Sequence, residues 1–359
     1  MKKILIGICG IGNGHLNRQI CVINELKSKG FEVLAATSID KVSVIKKKCN
    51  IEVLPIIIPW IVCDKNGVNF KDTLEKYCLS TQDRFKNFLE FSIAVEKYFN
   101  GKPDLVITDY EPNVAEYAYA SNLKLITMEQ QSKFLYLENI EINDFSINEE
   151  INRINYFFPK YDMKIISSFF PIDIKKNNVV VVPPIINELE KRNKEDNKVL
   201  VYFSSYSFSI KYFEILNTIK EFNDYKFIVY TKENIDIFKK YLNYPNIKFV
   251  NFNDSFKNDL LSSAFLITTS GHQLLSEAIS IDLPIITIPL DTYEQNYNAL
   301  MIEKYKLGMK CKEFTYEVLK EFLENRFYFI NNIRDFKNKY YKNNWQEIVI
   351  EKVSSVIDE

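Results

Sequence analysis

A repeated alternation of short apolar runs and amphipathic stretches constrains the fold of this 359-residue chain more than any other feature. The opening run KILIGI is typical of a buried strand, glycines punctuate the turn after it, and residues 16–29 place Ile20, Ile23 and Leu26 at helical spacing. Further apolar runs alternate with helical stretches up to a strand at residues 123–128. Because strands that alternate with helices form parallel sheets covered on both faces, the sequence predicts a doubly wound α/β domain.

The same alternation occurs a second time along the chain. It pauses in a charged, apolar-poor stretch at residues 187–198 and resumes at residue 199, and the length also suits two domains at roughly 100 to 200 residues each. We therefore predict two Rossmann-like domains facing a cleft, at residues 1–184 and 185–330. A helical segment at residues 331–359 is expected to pack back on the first domain.

Charge and composition narrow the classes of partner. Lys plus Arg number 46 and Asp plus Glu 47, so the chain has no electrostatic drive toward nucleic acid. The six cysteines form no C-x-x-C pair and the chain has only two histidines, which disfavours a structural zinc. The longest apolar run, at residues 53–63, is broken by Pro55 and Pro59 and is too short to span a bilayer. No signal peptide precedes the first strand, so we expect a cytoplasmic protein. We also expect no metal and no cofactor.

A glycine-rich turn follows the first strand, with the sequence Gly10-Ile-Gly12-Asn13-Gly14-His15. Glycines let the backbone approach a ligand closely, and the following helix N-terminus favours an anionic or hydroxylated group. A dinucleotide fingerprint is disfavoured, because the histidine stands where the third glycine belongs and residues 36–38 carry no acidic side chain. A plain tight turn remains the alternative.

His15 has a candidate partner in Asp109, which follows the predicted strand at residues 104–108. Ligands of doubly wound sheets bind outside the carboxyl ends of the strands, so both side chains can converge there. A histidine oriented by a carboxylate is a general base. In the alternative interpretation, Asp109 only caps the next helix and His15 is a turn residue. Glu111 could also replace Asp109 as the orienting group.

The most specific signal is an ordered series of polar residues between residues 268 and 299. Ser270 is a good N-cap, so residues 270–272 are expected to present backbone N–H groups to a phosphate, with Glu277 on the helix that follows. The pair Glu294 and Gln295 lies beyond the next strand, where its side chains can bind sugar hydroxyls.

Together these motifs resemble the GT-B glycosyltransferases, especially families 28 and 1, over nearly the whole chain. The resemblance implies that the first domain binds the acceptor and the second the nucleotide-sugar donor. Glu277 would hold the ribose, while Glu294 and Gln295 would hold the donor sugar. The residues implied for the donor diphosphate are Ser204, Ser205, Ser270, Gly271 and His272.

Two departures from the family pattern stand out. Arg18 occupies a position where many relatives have proline, and Thr269 stands where family 1 enzymes often have histidine. These departures favour a family 28-like enzyme over a plain family 1 natural-product enzyme. Arg18 is either a contact to an acceptor phosphate or a solvated helix charge, and His272 is either a donor contact or a solvent-facing side chain at the helix start.

The resemblance implies an inverting transfer of a sugar, expected from a UDP-sugar, to a hydroxyl of a cell-envelope, glycolipid or secondary-metabolite acceptor. The absence of a D-x-D motif supports metal independence. The protein is expected in the cytoplasm, with an acceptor that is lipid-linked or a saccharide and with peripheral contact at the inner membrane face. The acceptor residues expected are Gly12, Asn13, Gly14, Arg18, Glu111, Glu129 and Gln130, with Gln131 in the same polar run.

Two alternatives remain open. A nucleotide-sugar hydrolase or 2-epimerase of the same fold would need extra carboxylates near the donor sugar, and Glu111, Glu129 and Glu294 are available. A non-catalytic nucleotide-sugar-binding protein is less favoured, since binding alone does not require a base in the first domain.

Overall fold

The computed structural model describes residues 1–56, 63–64, 67–68, 81–137, 145–187, 193–202, 210–231, 233–251, 253, 255–342 and 344–359. The chain divides into two compact units. The N-terminal unit comprises Met1–Val62, Val68–Asn187 and Asn343–Glu359, and the C-terminal unit comprises Cys63–Gly67 and Glu188–Lys342.

Strands and helices alternate along the chain, as the sequence predicts. The strands are β1 (Lys3–Ile8), β2 (Glu32–Ser38), β3 (Val53–Ile56), β4 (Cys63–Asp64), β5 (Gly67–Val68), β6 (Leu105–Asp109), β7 (Leu125–Glu129), β8 (Met163–Ser167), β9 (Val179–Val182), β10 (Lys198–Tyr202), β11 (Lys226–Thr231), β12 (Ile247–Asn251), β13 (Phe265–Thr268), β14 (Ile285–Thr287) and β15 (Gly308–Lys310). The α-helices are Gly14–Ser28, Ile39–Cys49, Thr81–Phe99, Pro112–Ser121, Phe145–Phe157, Ile210–Ile219, Phe256–Ser262, His272–Ser280, Tyr293–Lys304, Tyr316–Tyr340 and Trp345–Asp358, and 3₁₀ turns lie at Gln131–Leu135 and Ile235–Tyr241.

The N-terminal unit is built on a parallel sheet of seven strands in the order β3-β2-β1-β6-β7-β8-β9. Its central strands are apolar on both faces because helices cover both sides: Ile4, Leu5 and Ile6 have no exposed surface. The order reverses between β1 and β6, where Ile8 pairs with Asp109. This reversal is the topological switch point, where doubly wound sheets bind their ligands.

Gly7 in β1 allows the helix Pro112–Ser121 to pack closely on the sheet beside the switch point. A Cβ at residue 7 would lie 2.6 Å from the Cβ of Val114. Such a contact is too short for two carbon atoms, so the close approach of helix and strand requires glycine here.

The C-terminal unit repeats this architecture with a parallel sheet of six strands in the order β12-β11-β10-β13-β14-β15. Its core contains Val199, Phe227, Phe265 and Ile286 from the sheet, and Phe322 from the helix Tyr316–Tyr340. The switch point of this sheet lies between β10 and β13. The prediction of two doubly wound α/β domains is confirmed for the described residues.

The boundary expected at residue 330 falls inside a continuous helix. The helix Tyr316–Tyr340 runs through it with Phe329 and Ile333 both buried, so the C-terminal unit extends to Lys342. The segment that joins the N-terminal core is the helix Trp345–Asp358. Trp345 donates its indole N–H to the carbonyl of Ile186 at 3.3 Å. Val349, Val353 and Val356 lie in one apolar cluster with strands of the N-terminal sheet.

In the part of the chain that the structure describes, no helix is both long and apolar enough to cross a bilayer.

Candidate functional site

His15 and Asp109 meet at the switch point of the N-terminal sheet. His15 lies in the first turn of the helix that follows β1, and Asp109 is the last residue of β6, the neighbouring strand. His15 Nδ1 is 2.6 Å from Asp109 Oδ1; the histidine side chain is 12% exposed and the aspartate is fully buried. The pairing expected from topology is therefore present. The strand ends at Asp109, one residue later than the predicted end at residue 108.

Arg18 and Gln19, which lie on the same helix as His15, both bind the Asp109 carboxylate. Arg18 donates from Nε to Oδ2 at 2.9 Å and from Nη2 to Oδ1 at 2.7 Å, and Gln19 Nε2 donates to Oδ2 at 2.9 Å. Burial by itself would raise the pKa of Asp109, but the positive Arg18 and the His15 contact outweigh it and lower this pKa to about 2. Asp109 is therefore ionised throughout the physiological range.

The ionised carboxylate decides the tautomer of His15. A carboxylate can only accept hydrogen bonds, so His15 Nδ1 must carry the proton that points at Asp109. Arg18 Nη2 also lies 3.0 Å from His15 Nδ1. With a proton on Nδ1, both nitrogens are donors, so they do not bond to each other but share Asp109 Oδ1 as acceptor. The Nε2 lone pair of His15 is left as the basic position, which is the arrangement a general base needs.

The structure contradicts one of the two interpretations of Arg18 made from the sequence, and the contact to an acceptor phosphate stays a prediction. The Arg18 side chain is 2% exposed and binds Asp109, so it is not a solvated helix charge. Gln19 was not singled out from the sequence at all. The spacing contains the signal: residues 15, 18 and 19 lie on one face of a helix, so three polar side chains there point to one partner.

Tyr110 takes a left-handed backbone conformation directly after Asp109, with φ of 56°. Such a conformation costs a residue other than glycine about 1–2 kcal/mol. Tyr110 donates its hydroxyl to Glu150 at 2.5 Å and its ring stacks on His15 at 6.1 Å between centroids. These contacts hold the strained turn, which leads the chain away from the sheet just beyond the carboxylate.

Glu111 caps a helix, and its hydrogen bonds go to Asn113 and Thr108 and not to His15. It is the N-cap of the helix Pro112–Ser121, with Oε1 accepting from the backbone and side-chain nitrogens of Asn113 at 2.8 and 2.7 Å. The structure therefore gives the capping role to Glu111 and not to Asp109. Its Oε2 is buried and has no hydrogen-bond partner among the described residues. Burial raises the pKa of Glu111 to about 7.

This raised pKa predicts a pH-dependent stability. Because the folded state holds the Glu111 proton more tightly than the unfolded state, the free energy of unfolding falls as the pH rises from about 4.5 to about 7. We expect the difference in the free energy of unfolding between Glu111→Gln and wild type to shift by about 2 kcal/mol in favour of the variant as the pH rises from 5 to 8. Urea unfolding at both pH values measures it, with Glu116→Gln, an exposed change on the same helix, as control. A difference between Glu111→Gln and wild type that is independent of pH would contradict this account.

Of the polar run after β7, Gln131 is the residue that reaches the histidine. Glu129 is fully buried, accepts from the backbone nitrogen of Ser132 at 2.8 Å and lies 3.9 Å from the buried Lys164 ammonium. Gln130 accepts from Lys133 Nζ. Gln131 places its Nε2 3.2 Å from His15 Nε2. The phase of the 3₁₀ turn decides which side chain faces the base, and alternation along a strand cannot predict it.

The glycine loop brings the backbone close to the histidine. Gly12 has a φ of +67°, a conformation that strongly favours glycine. Asn13 is the N-cap of the helix that carries His15 and accepts a long hydrogen bond from Lys41 at 3.4 Å, and Gly14 begins that helix.

In the C-terminal unit, the helix His272–Ser280 begins just after β13. Its N-cap is Gly271 and not Ser270, with no side-chain cap. The backbone N–H of Ser270, expected to be free for a phosphate, donates to Gln295 Oε1 at 3.0 Å. The first-turn N–H groups of the helix have no intrahelical acceptors, and a Cβ at residue 271 would meet no atom of the described chain within 4 Å. The helix N-terminus therefore offers an open approach beside Gly271.

Gln295 ties two loops together. Its Oε1 accepts from Leu290 N at 3.1 Å as well as from Ser270 N, and Asn298 donates to the carbonyl of Ser270 at 2.9 Å. The amide oxygen of Gln295 is therefore occupied by the backbone. Glu294 lies beside it in the first turn of the helix Tyr293–Lys304 and is partly exposed.

Glu277 lies on the helix one turn and a half beyond its start. Burial raises its pKa to about 6, and Gln273 Nε2, which donates to it at 3.2 Å, opposes that rise. Glu277 therefore remains largely ionised at neutral pH. His272 is 4% exposed, so the solvent-facing interpretation of this side chain is wrong.

A small cavity of about 10 Å³ lies near this helix start, lined by Lys211, Tyr212, Thr268 and Thr269 among others. It sits at the carboxyl end of β13, beside the switch point of the second sheet. Ser204 and Ser205 lie outside the described residues.

The family model described as "Glycosyl transferase family 1" matches residues 2–326. The chain belongs to glycosyl transferase family 1. The match confirms the resemblance to the glycosyltransferases of families 28 and 1, and it favours family 1 over the family 28-like enzyme that Arg18 and Thr269 predict. No curated protein matches this family 1 chain.

Solved structures of glycosyltransferases share the fold of this family 1 enzyme. The spinosyn forosaminyltransferase SpnP has a TM-score of 0.70 at 13% identity, covering 100% of both chains. The calicheamicin glycosyltransferase CalG4 has a TM-score of 0.68 at 12% identity, covering 100% of this chain and 99% of its own. The glycosyltransferase VinC in complex with dTDP has a TM-score of 0.66 at 13% identity, covering 99% of each chain. These likenesses establish the GT-B fold.

In the described part of this family 1 chain, no three His, Cys, Asp or Glu side chains are grouped so that they could hold a metal ion.

Proposed function

We propose that this glycosyltransferase moves a sugar from a nucleoside diphosphate sugar to an acceptor hydroxyl, with inversion at the anomeric carbon and without a metal ion. The observation that carries the proposal is the contact of 2.6 Å between His15 Nδ1 and the ionised Asp109. It fixes the tautomer in which His15 Nε2 can remove the acceptor proton, and Asp109 stabilises the imidazolium formed.

The N-terminus of the helix His272–Ser280 would stabilise the departing diphosphate through its dipole and the N–H groups of its first turn. Glu277 would accept hydrogen bonds from the two ribose hydroxyls. UDP and dTDP are the candidate nucleotides, the second because VinC was solved with dTDP. Gln295 would act through the backbone it holds, and Glu294 would contact the donor sugar directly.

The hydrolase and 2-epimerase alternatives are less well supported. Both need further acid and base carboxylates, but Glu111 caps a helix and Glu129 is bound to Ser132 and Lys164.

Thermal unfolding with UDP, GDP, dTDP, CMP and NAD, each with and without EDTA, tests the donor site. A ligand at about 100 times its Kd adds roughly 2.7 kcal/mol to stability, and we expect this effect from UDP or dTDP in the presence of EDTA. Glu277→Ala is expected to weaken nucleotide binding about 10- to 100-fold, because hydrogen bonds to a charged group contribute about 1.5–3 kcal/mol.

The control for this experiment is Glu324→Ala, an exposed change in the same unit. Stabilisation by NAD alone, or by no nucleotide, would contradict the proposed donor. With a transferred sugar in hand, the anomeric configuration of the product reports inversion directly.

A further inference from the structure

The side-chain amide of Gln131 contacts His15 Nε2, the nitrogen that would accept the proton in the proposed reaction. His15 Nδ1 donates to Asp109, so Nε2 is the nitrogen with a lone pair, and Gln131 Nε2 is 3.2 Å from it. A lone pair of imidazole accepts, so the amide group that faces it must be the N–H₂. Gln131 therefore donates to the atom that would take the acceptor proton.

The turn that carries Gln131 is held by its neighbours. Glu129 accepts from the backbone nitrogen and the hydroxyl of Ser132, and Lys164 donates to the Ser132 hydroxyl at 2.8 Å. Lys133 binds Gln130 on the adjacent side. The backbone at residue 131 is thus fixed, and the direction of its side chain toward His15 is built into the turn.

The Gln131 amide is anchored at one end alone. Its Oε1 is buried and has no hydrogen-bond partner in the described part of the chain, and the residue is 8% exposed. Rotating the amide away from His15 therefore breaks a single hydrogen bond. Because the amide makes one hydrogen bond, it contributes little to stability and can be displaced from His15 at a small energetic cost.

We propose that Gln131 is a positioning residue that guards the catalytic base against water. In the free protein its N–H occupies the lone pair of His15 Nε2, and an acceptor hydroxyl gains access to the base only by displacing that N–H. This inference rests on the proposed function, because it assigns a role around the same base.

The reaction that the guard suppresses is hydrolysis of the donor. In that reaction the oxygen of water forms a bond to the anomeric carbon while the bond between that carbon and the diphosphate oxygen breaks. The proton of water passes to His15 Nε2, and the nucleoside diphosphate leaves with the electron pair. A water molecule competes with Gln131 for the lone pair, whereas a bound acceptor is held in place by further contacts.

The first test measures hydrolysis of UDP-glucose and dTDP-glucose without any acceptor. Gln131→Met keeps the length of the side chain and removes its polar atoms, and we expect it to hydrolyse the donor about five- to tenfold faster than wild type. Gln131→Ala should behave likewise, and adding His15→Ala to Gln131→Met should abolish the gain. The matched control is Gln82→Met, an exposed glutamine on the helix Thr81–Phe99. Unchanged or slower hydrolysis in both Gln131 variants overturns the proposal, and a misfolded variant would not gain activity.

The second test needs no donor. The chain has two histidines, so a protein labelled with ¹⁵N-histidine gives two imidazole spectra, and His15→Gln assigns them. We expect the Nε2 resonance of His15 to move in Gln131→Met toward that of an acceptor nitrogen without a hydrogen bond, with Nδ1 still protonated. An unmoved resonance overturns the guard even if nucleotides bind. A moved resonance in a protein that binds no nucleotide would confirm the hydrogen bond between Gln131 and His15 but refute the proposed function, and with it the role of that bond as a guard.

Discussion

Replacing His15 with alanine is expected to lower kcat/KM for sugar transfer about 10³-fold, within the range of 10²- to 10⁴-fold that a positioned general base contributes. Nucleotide binding should be unaffected, since the residues assigned to the donor lie in the C-terminal unit. The measurement is the initial rate of nucleoside diphosphate release in the presence of acceptor, together with the thermal shift produced by the nucleotide.

Asn17→Ala, a change on the same helix that leaves the His15 and Asp109 contacts in place, serves as the control. If His15→Ala kept full turnover, the base assignment would be wrong. If it lost both turnover and the nucleotide shift, the variant would have lost more than a proton acceptor.

Replacing Arg18 with methionine is expected to destabilise the protein by about 3–5 kcal/mol at pH 7. It leaves the fully buried Asp109 carboxylate without its guanidinium partner, and breaking one side of a buried pair costs this much. The measurement is urea unfolding. Arg334→Met breaks an exposed pair with Asp282 and should cost less than about 1 kcal/mol.

The same variant should change the acid limb of stability. In wild type the low pKa of Asp109 adds stability that is present above about pH 3.8 and is lost as the pH falls through about 2. Without Arg18, burial raises the proton affinity of Asp109, so the loss relative to wild type should shrink as the pH falls below 4. A cost that does not change with pH would mean that lost packing, and not the unpaired charge, explains the destabilisation.

The architecture could be predicted from the sequence because the alternation of buried strands and helices is local. Each apolar run, such as Ile4 to Ile6, is long enough to be covered on both faces, and the glycine loop marks where the first strand ends. The boundary near residue 330 could not be predicted, because a helix of 25 residues continues through it without any change in composition.

The candidate site was predicted as far as strand ends determine it. His15 and Asp109 follow neighbouring strands, so topology brings them together. The burial of Arg18 could not be predicted, because a charged residue on a helix is usually solvated and only the tertiary position of Asp109 makes Arg18 a buried partner. Gln131 and the backbone role of Gln295 depend on turn geometry, which side-chain periodicity does not report.

The helix Trp345–Asp358 affects the order in which the protein can be completed during synthesis. It lies in one apolar cluster with Ile4, Ile6 and Ile8, more than 300 residues earlier in the chain. A ribosome makes the N-terminal strands first, but their core stays open until this helix has emerged. The C-terminal unit ends at Lys342 and so can close before it. The N-terminal unit is therefore translated first but completes its core last. Until the helix Trp345–Asp358 emerges, the nascent N-terminal sheet exposes apolar surface.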